Sequence, residues 1–200
     1  MTPQTVYLIR HGQVDGNVLQ LGRRVTIAEF NAMVEQVPYE SINEAGIAQV
    51  KAIVPQIARC NLSLLYTSPL LRARQTARIL AEATGLPVRV RHDLYELQPA
   101  RLPGPPDRSY TLRGAYFRSG LRLANPFTRD TETVLRAFQR VRRAWQEMIR
   151  ETQADFGIVG HQGVFRMLFL WIHLSPRWRL VKGDTRNTGI SIIQRRGGRP

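Results

Sequence analysis

The chain has one cysteine, Cys60, and only two lysines, Lys51 and Lys182. A single cysteine excludes an internal disulfide and fits a reducing compartment. Long apolar runs are missing as well. The longest, Val164 to Leu174, is interrupted by Arg166 and His173, so no membrane span is expected. Met1-Thr-Pro-Gln4 leads directly into a strand pattern, with none of the features of a signal peptide. A cytoplasmic location is the resulting expectation. Neither an internal repeat nor a low-complexity tract occurs.

Acidic residues are scarce too: 15 Asp and Glu stand against 29 Lys and Arg, a formal net charge of +14. Arginine supplies nearly all of it, a skew that genome base composition alone can produce. A nucleic-acid partner would call for basic residues interleaved with stacking aromatics, or for a recognition motif. Neither is present. Arg136, Arg140 and Arg143 share a helix face, but Glu132, Glu147 and Glu151 on the same helix dilute it. Phosphorylated small molecules are the better match to this charge. Close metal-ligand spacing such as H-x-x-x-H is also lacking; a metal site would have to join His11 and His161 to Asp15 or Glu96.

What is present reads as alternating strands and helices in one domain spanning 1–200, long enough for a substantial core. Thr5 to Ile9 is a buried strand pattern, as are Leu62 to Tyr66 and Phe156 to Val159; Val88 to Val90 and Ile190 to Ile193 are shorter candidates. Ser41-Ile-Asn-Glu44 reads as a capping box, opening a helix towards Cys60 that bends near Pro55. Ser68-Pro69 reads as a helix start, with Gly85 as its end. Asp130-Thr131 is expected to open a long amphipathic helix carrying Val134, Phe138, Val141, Trp145 and Met148 on one side, and a further helix is expected from Val164. This alternation predicts a mostly parallel sheet in a three-layer α/β/α arrangement. Gln98 to Arg129, rich in Pro, Gly and Arg without clear periodicity, is expected to be a lid or substrate loop.

Three strands deliver polar chemistry just past their C-terminal ends. The first gives Arg10, His11 and Gly12; the second Thr67, Ser68 and, one turn on, Arg72; the third His161 between two glycines. In a parallel sheet these ends share one edge, and the helices that follow add unpaired backbone N–H groups. Two arginines, two histidines and helix N-termini at one point suit a tetrahedral dianion, with Arg10 as clamp and His11 as nucleophile or base. His92 and His173 have no such neighbours and are assigned to structure or surface.

Leu8-Ile-Arg-His-Gly-Gln13, Thr67-Ser-Pro-Leu-Leu-Arg-Ala-Arg-Gln-Thr-Ala77 and Gly160-His-Gln-Gly163, in this order over nearly the whole chain, resemble the histidine phosphatase superfamily with its phosphoglycerate-mutase-like fold. The resemblance implies that His11 is the phosphorylated nucleophile and that Arg10, Arg72 and His161 hold the phosphoryl group. Asn17 adds a contact from the following loop, and Gly12 and Gln162 complete the expected substrate-binding set. Asp93-Leu-Tyr-Glu96-Leu97 resembles the family's segment bearing the proton donor, which makes Glu96 the candidate acid and leaves Asp93 and Asp107 as fallbacks. The family's Gly-x-Trp-x-Gly after the acid is replaced by Gln98-Pro-Ala-Arg-Leu-Pro-Gly104, and the mutase pattern Glu-Arg-His-Tyr-Gly is absent. Hydrolysis of a phosphorylated metabolite without metal or other cofactor is therefore expected. Mutase-type phosphoryl transfer and a non-catalytic phospholigand-binding module are the alternatives. Because His11 must attack unprotonated, activity is expected to fall in acid.

Overall fold

β1 (Thr5–Arg10) is apolar on both sides, and both sides are covered. Val6 and Leu8 pack with one buried cluster, Ile9 and the partly buried Tyr7 with another, so the period-2 alternation splits the strand between two cores. The structure is a computed structural model that describes residues 3–17 and 20–197. Around β1 lie β3 (Leu65–Thr67), β4 (Val88–Val90), β6 (Phe156–Gly160), β7 (Trp178–Lys182) and β8 (Ile190–Arg195), ordered β4-β3-β6-β1-β8-β7. The first four of that order are mutually parallel; β8 runs antiparallel to both β1 and β7.

Helices α2 (Glu44–Ala58) and α3 (Leu71–Thr84) cover one face through Val50, Ile57, Ala73, Ala77 and Leu80. Helices α5 (Val134–Glu151) and α6 (Gln162–His173) cover the other through Val141, Trp145, Met148, Phe165 and Leu168. This is the expected three-layer arrangement about a mostly parallel sheet. No helix among the described residues is long and apolar enough to cross a membrane.

Several helix starts differ from the sequence reading, each for a local reason. Asn43, not Ser41, caps α2, accepting from Gly46 N–H while its amide donates to Asp15. Ser68 does not cap α3, whose N-cap is Leu70 without a side-chain bond; its hydroxyl turns to His161 instead. α5 begins at Val134 under a Thr133 cap, because Asp130 is drawn away into an ion pair with Arg122. Val134 on that helix is exposed and Phe138 half-buried, while Ala137 and Arg140 face inward. α6 starts at Gln162, with His161 as its N-cap. Gly85, at φ 72, ends α3 as expected, since glycine adopts the left-handed conformation without strain.

Gln98 to Arg129 is not structureless. It contains β5 (Ser109–Thr111) and α4 (Leu112–Ala124), which join β2 (Arg24–Thr26) and α1 (Ile27–Gln36) in a small second unit. Each three-residue strand runs straight into a helix capped by a threonine, Thr26 or Thr111. Their shared core is Val25, Ile27, Phe30, Val34, Leu102, Leu112 and Ala115. α4 buries only Leu112, Ala115 and Ser119 while Phe117 and Leu121 stay exposed, so its apolar period is illegible in sequence.

Candidate active site

The parallel register brings three strand ends level. Arg10 pairs with Gly160 and Thr67 with Val159, while His11 N–H donates to Gly160 O at 3.0 Å and Ser68 N–H to Val159 O at 3.0 Å. His11, Ser68 and His161 thus leave the sheet side by side, and the His11 and His161 rings lie 5.2 Å apart. Arg72, the second residue of α3, is 4% exposed and donates through Nε to His11 Nε2 at 3.3 Å. It is therefore no solvated helix arginine.

These contacts define the His11 tautomer. Nδ1 lies 2.7 Å from Gly12 O, a carbonyl that can only accept, so Nδ1 carries the proton. Nε2 is left with its lone pair, on which the Arg72 Nε–H rests. Burial first, then Arg72 and Arg10, hold the imidazolium down to a pKa of about 3, against the upward pull of the Gly12 bond. His11 is therefore neutral across the physiological range. Charging the ring here would add a third cation beside Arg72 and Arg10, which moves the expected loss of the unprotonated form to lower pH in this state.

Two polar atoms beside it have no partner among the described residues: Arg10 Nε and His161 Nδ1, both buried. Buried polar atoms are nearly always paired, so such atoms mark a place for a polar ligand. Ser68 Oγ lies 2.7 Å from His161 Nε2 and accepts from Leu70 N–H at 3.3 Å. Hydroxyl and imidazole can exchange donor and acceptor roles here; in the arrangement where the hydroxyl donates to Nε2, the imidazole proton stands on Nδ1. His161 is wholly buried and its pKa is pushed far down, by desolvation first and then by His11 and the arginines. Arg10 is anchored at its far end, Nη1 donating to Thr185 O at 2.9 Å.

Glu96 enters from the loop after β4. Its Oε2 accepts from Gly163 N–H and its Oε1 from Leu97 N–H, both at 3.2 Å. Burial raises its pKa; the Gly163 bond and the charges of Arg72 and Arg10 oppose this only in part. Gly163 lets the carboxylate approach, since a Cβ there would overlap Glu96 Oε1. The fallback acids are placed differently. Asp93 is held by Arg91, which also binds Glu147 and Glu151, and Asp107 is exposed. Arg140 fastens this loop: it donates to the Asp93 and Tyr95 carbonyls, pairs with Glu132 at 2.7 Å and lies 3.6 Å over the Tyr95 ring.

The other expected contacts are only partly gathered. Gly12 N–H already donates to Thr76 Oγ1 at 3.0 Å, and the missing side chain makes room for α2: a Cβ would stand 2.8 Å from Gly46 O. Gln162 reaches Thr185 Oγ1 at 3.2 Å. Asn17 ends a short 3-10 turn, and its side chain lies outside the described residues. His92 and His173 stand apart on the surface.

Four contributors lack an obvious sequence signal for the contacts they make. The Ser68 hydroxyl was legible as a cap and as part of the second strand end, but not as the partner of His161. Asn187 Nδ2 donates to the His11 carbonyl at 3.3 Å, and Thr188 N–H approaches the same oxygen at 3.4 Å. Thr188 sits at φ 54, a strained value for a β-branched residue and of the kind concentrated at functional sites. Glu40 lies 3.7 Å from Arg72 Nη1, which also donates to Val37 O at 2.6 Å. Among the described residues no group of three His, Cys, Asp or Glu side chains gathers as a metal-ligand set.

Comparison with known proteins adds a second line of support. The family model of the histidine phosphatase superfamily (branch 1) matches residues 6–200. Among solved structures, a mycobacterial glucosyl-3-phosphoglycerate phosphatase is 21% identical with a TM-score of 0.62, over 94% of this chain and 89% of its own. YhfR of Bacillus stearothermophilus is 22% identical with a TM-score of 0.64, over 86% and 81%. An alpha-ribazole phosphatase from Shigella flexneri is 24% identical with a TM-score of 0.60, again over 86% and 81%. No curated protein matches the chain.

Proposed function

Since the chain belongs to the histidine phosphatase superfamily, branch 1, we propose that it hydrolyses a phosphomonoester of a small metabolite through a phosphohistidine at His11. The observation that carries this reading is the His11 tautomer: Nδ1–H is committed to Gly12 O, and the Nε2 lone pair sits among Arg72, Arg10 and His161. In the first step Nε2 attacks phosphorus in line and the P–O ester bond breaks. The alkoxide takes a proton from Glu96, whose raised pKa keeps that proton available. In the second step Glu96 takes a proton from water, which attacks the phosphohistidine, so the P–N bond breaks and inorganic phosphate forms.

Arg72 shifts its Nε–H from His11 to a phosphoryl oxygen as substrate enters, which frees the lone pair it covers. Arg10 Nε and His161 Nδ1 take further oxygens. Preorganised cations facing developing charge supply the main electrostatic assistance in phosphoryl transfer, and here side chains provide it without a metal. The incoming dianion also offsets the two arginines that depress His11, which restores basicity to the nucleophile when it is needed. The test is turnover of p-nitrophenyl phosphate in the presence of a chelator, with inorganic phosphate as product. Turnover that requires a divalent cation, or none at all, would refute the reading.

A further inference from the structure

We infer that Glu40 sets the specificity of this site: its carboxylate beside Arg72 disfavours phosphate esters with a second anion near the phosphoryl group and favours uncharged or cationic leaving groups. The inference rests on Arg72 holding the phosphoryl group, as proposed above. Arg72 links the two ends of the idea, with Nε on the nucleophile and Nη1 3.7 Å from Glu40 Oε2. The Glu40 carboxylate therefore lies one guanidinium away from the position of the reacting phosphorus.

Glu40 is held where it is. Its side chain is half-buried, and it packs so closely on Gly16, in the loop after His11, that a Cβ at Gly16 would overlap Oε1. Burial raises its pKa, with Asp15 adding to the rise and Arg72 opposing it. Two adjoining cavities share Gly16, Gln36 and Glu40 in their walls. One, of about 300 Å³, is lined by no cation, its charged groups being Asp15 and Glu40. The other, of about 520 Å³, has Glu29, Glu35 and Glu40 against Arg23. A chain of net charge +14 thus presents a carboxylate-rich surface next to its phosphate-binding cluster.

The cations nearest the Glu40 cavities stand among carboxylates: Arg23 lines the larger one beside Glu29, Glu35 and Glu40, and Arg101 pairs with Glu35 at 2.8 Å. Arg122 pairs with Asp130, and Arg118 stacks 4.4 Å from the Tyr110 ring centroid. Arg108, Arg118 and Arg122 line a separate cavity that shares no residue with the two at Glu40.

The experiment compares glycerol 3-phosphate with 3-phosphoglycerate, which share a three-carbon skeleton and differ in an alcohol against a carboxylate, with p-nitrophenyl phosphate as control. Like charges at this range in a partly buried site are worth roughly tenfold, so kcat/KM should favour glycerol 3-phosphate by about that factor. Glu40→Gln should bring the ratio close to parity by improving 3-phosphoglycerate, mostly through KM. Glu40→Asp, which keeps the charge, should keep the preference. A wild-type preference for 3-phosphoglycerate, or an unchanged ratio in Glu40→Gln, would overturn the role of Glu40. If Glu40→Gln does not fold, the wild-type ratio alone decides. Absence of p-nitrophenyl phosphate turnover in the wild type would overturn the phosphatase reading and this inference together.

Discussion

Replacing Gly163 by alanine should damage catalysis through Glu96 while leaving the fold as stable as before. The added Cβ would overlap Glu96 Oε1 and stand 3.2 Å from Cδ, and the third-nearest atom is Glu96 Oε2 at 3.5 Å. All three belong to the end of a flexible side chain, so the carboxylate must move, not the backbone. Gly163 lies in the first turn of α6, where glycine to alanine gains about 0.5–1 kcal/mol. Against this stands the 3.2 Å bond from Gly163 N–H to Glu96 Oε2, worth about 1 kcal/mol if lost. Net stability should therefore change by less than about 1 kcal/mol.

A carboxylate displaced by roughly 1 Å costs about 100-fold in a step that depends on its position, or about 2.7 kcal/mol of barrier. The loss should fall on esters whose leaving group needs a proton. Steady-state kcat on glycerol 3-phosphate should drop by about that factor, while p-nitrophenyl phosphate, with an acidic leaving group, should lose only a few-fold. Thermal melting controls for the fold. Equal losses on both substrates in a normally folded variant would show that Glu96 does not protonate the leaving group.

Two further predictions follow from buried charge. His11 and His161 are both buried neutral with depressed pKa values, so below the ordinary histidine range the unfolded chain binds protons that the native state refuses. Stability should fall as pH drops from about 6.5 towards 3, by up to about 1.4 kcal/mol per pH unit for each histidine. Urea titrations in that range measure it, and a flat profile would contradict the burial of both rings. Arg140→Gln leaves Glu132 without its partner and the Asp93 and Tyr95 carbonyls without a donor, for a loss of about 3 kcal/mol. Because that loop carries Glu96, kcat on glycerol 3-phosphate should fall more than on p-nitrophenyl phosphate. A change in stability without that split would make Arg140 purely structural.

How much could be seen in the sequence varied with the range of the contacts involved. β1 was legible because its apolar run is local, and the strand-end placement of His11, Arg72 and His161 followed from parallel topology. Helix caps were less legible, since Ser41 and Asn43 before α2, and Asp130, Thr131 and Thr133 before α5, are chemically similar candidates and only tertiary partners choose among them. α4 was hidden because its inward face is small and its outward face carries Phe117 and Leu121. Arg140 read as part of a basic face, yet it is buried among acceptors that no spacing rule connects to it. Glu40 reaches Arg72 only because the segment after α1 folds back onto the sheet edge, a contact between residues far apart in sequence.

Phosphorylation of His11 Nε2 is the step on which the proposed mechanism turns. Acid-sensitive phosphohistidine is preserved by quenching a single turnover of labelled substrate into alkali, and peptide mass spectrometry then locates the phosphoryl group. One acid-labile, alkali-stable phosphoryl group should appear on the peptide containing Arg10-His11-Gly12 and be absent from His11→Ala, which should also lose turnover. Label on another residue, or undiminished turnover in His11→Ala, would contradict it.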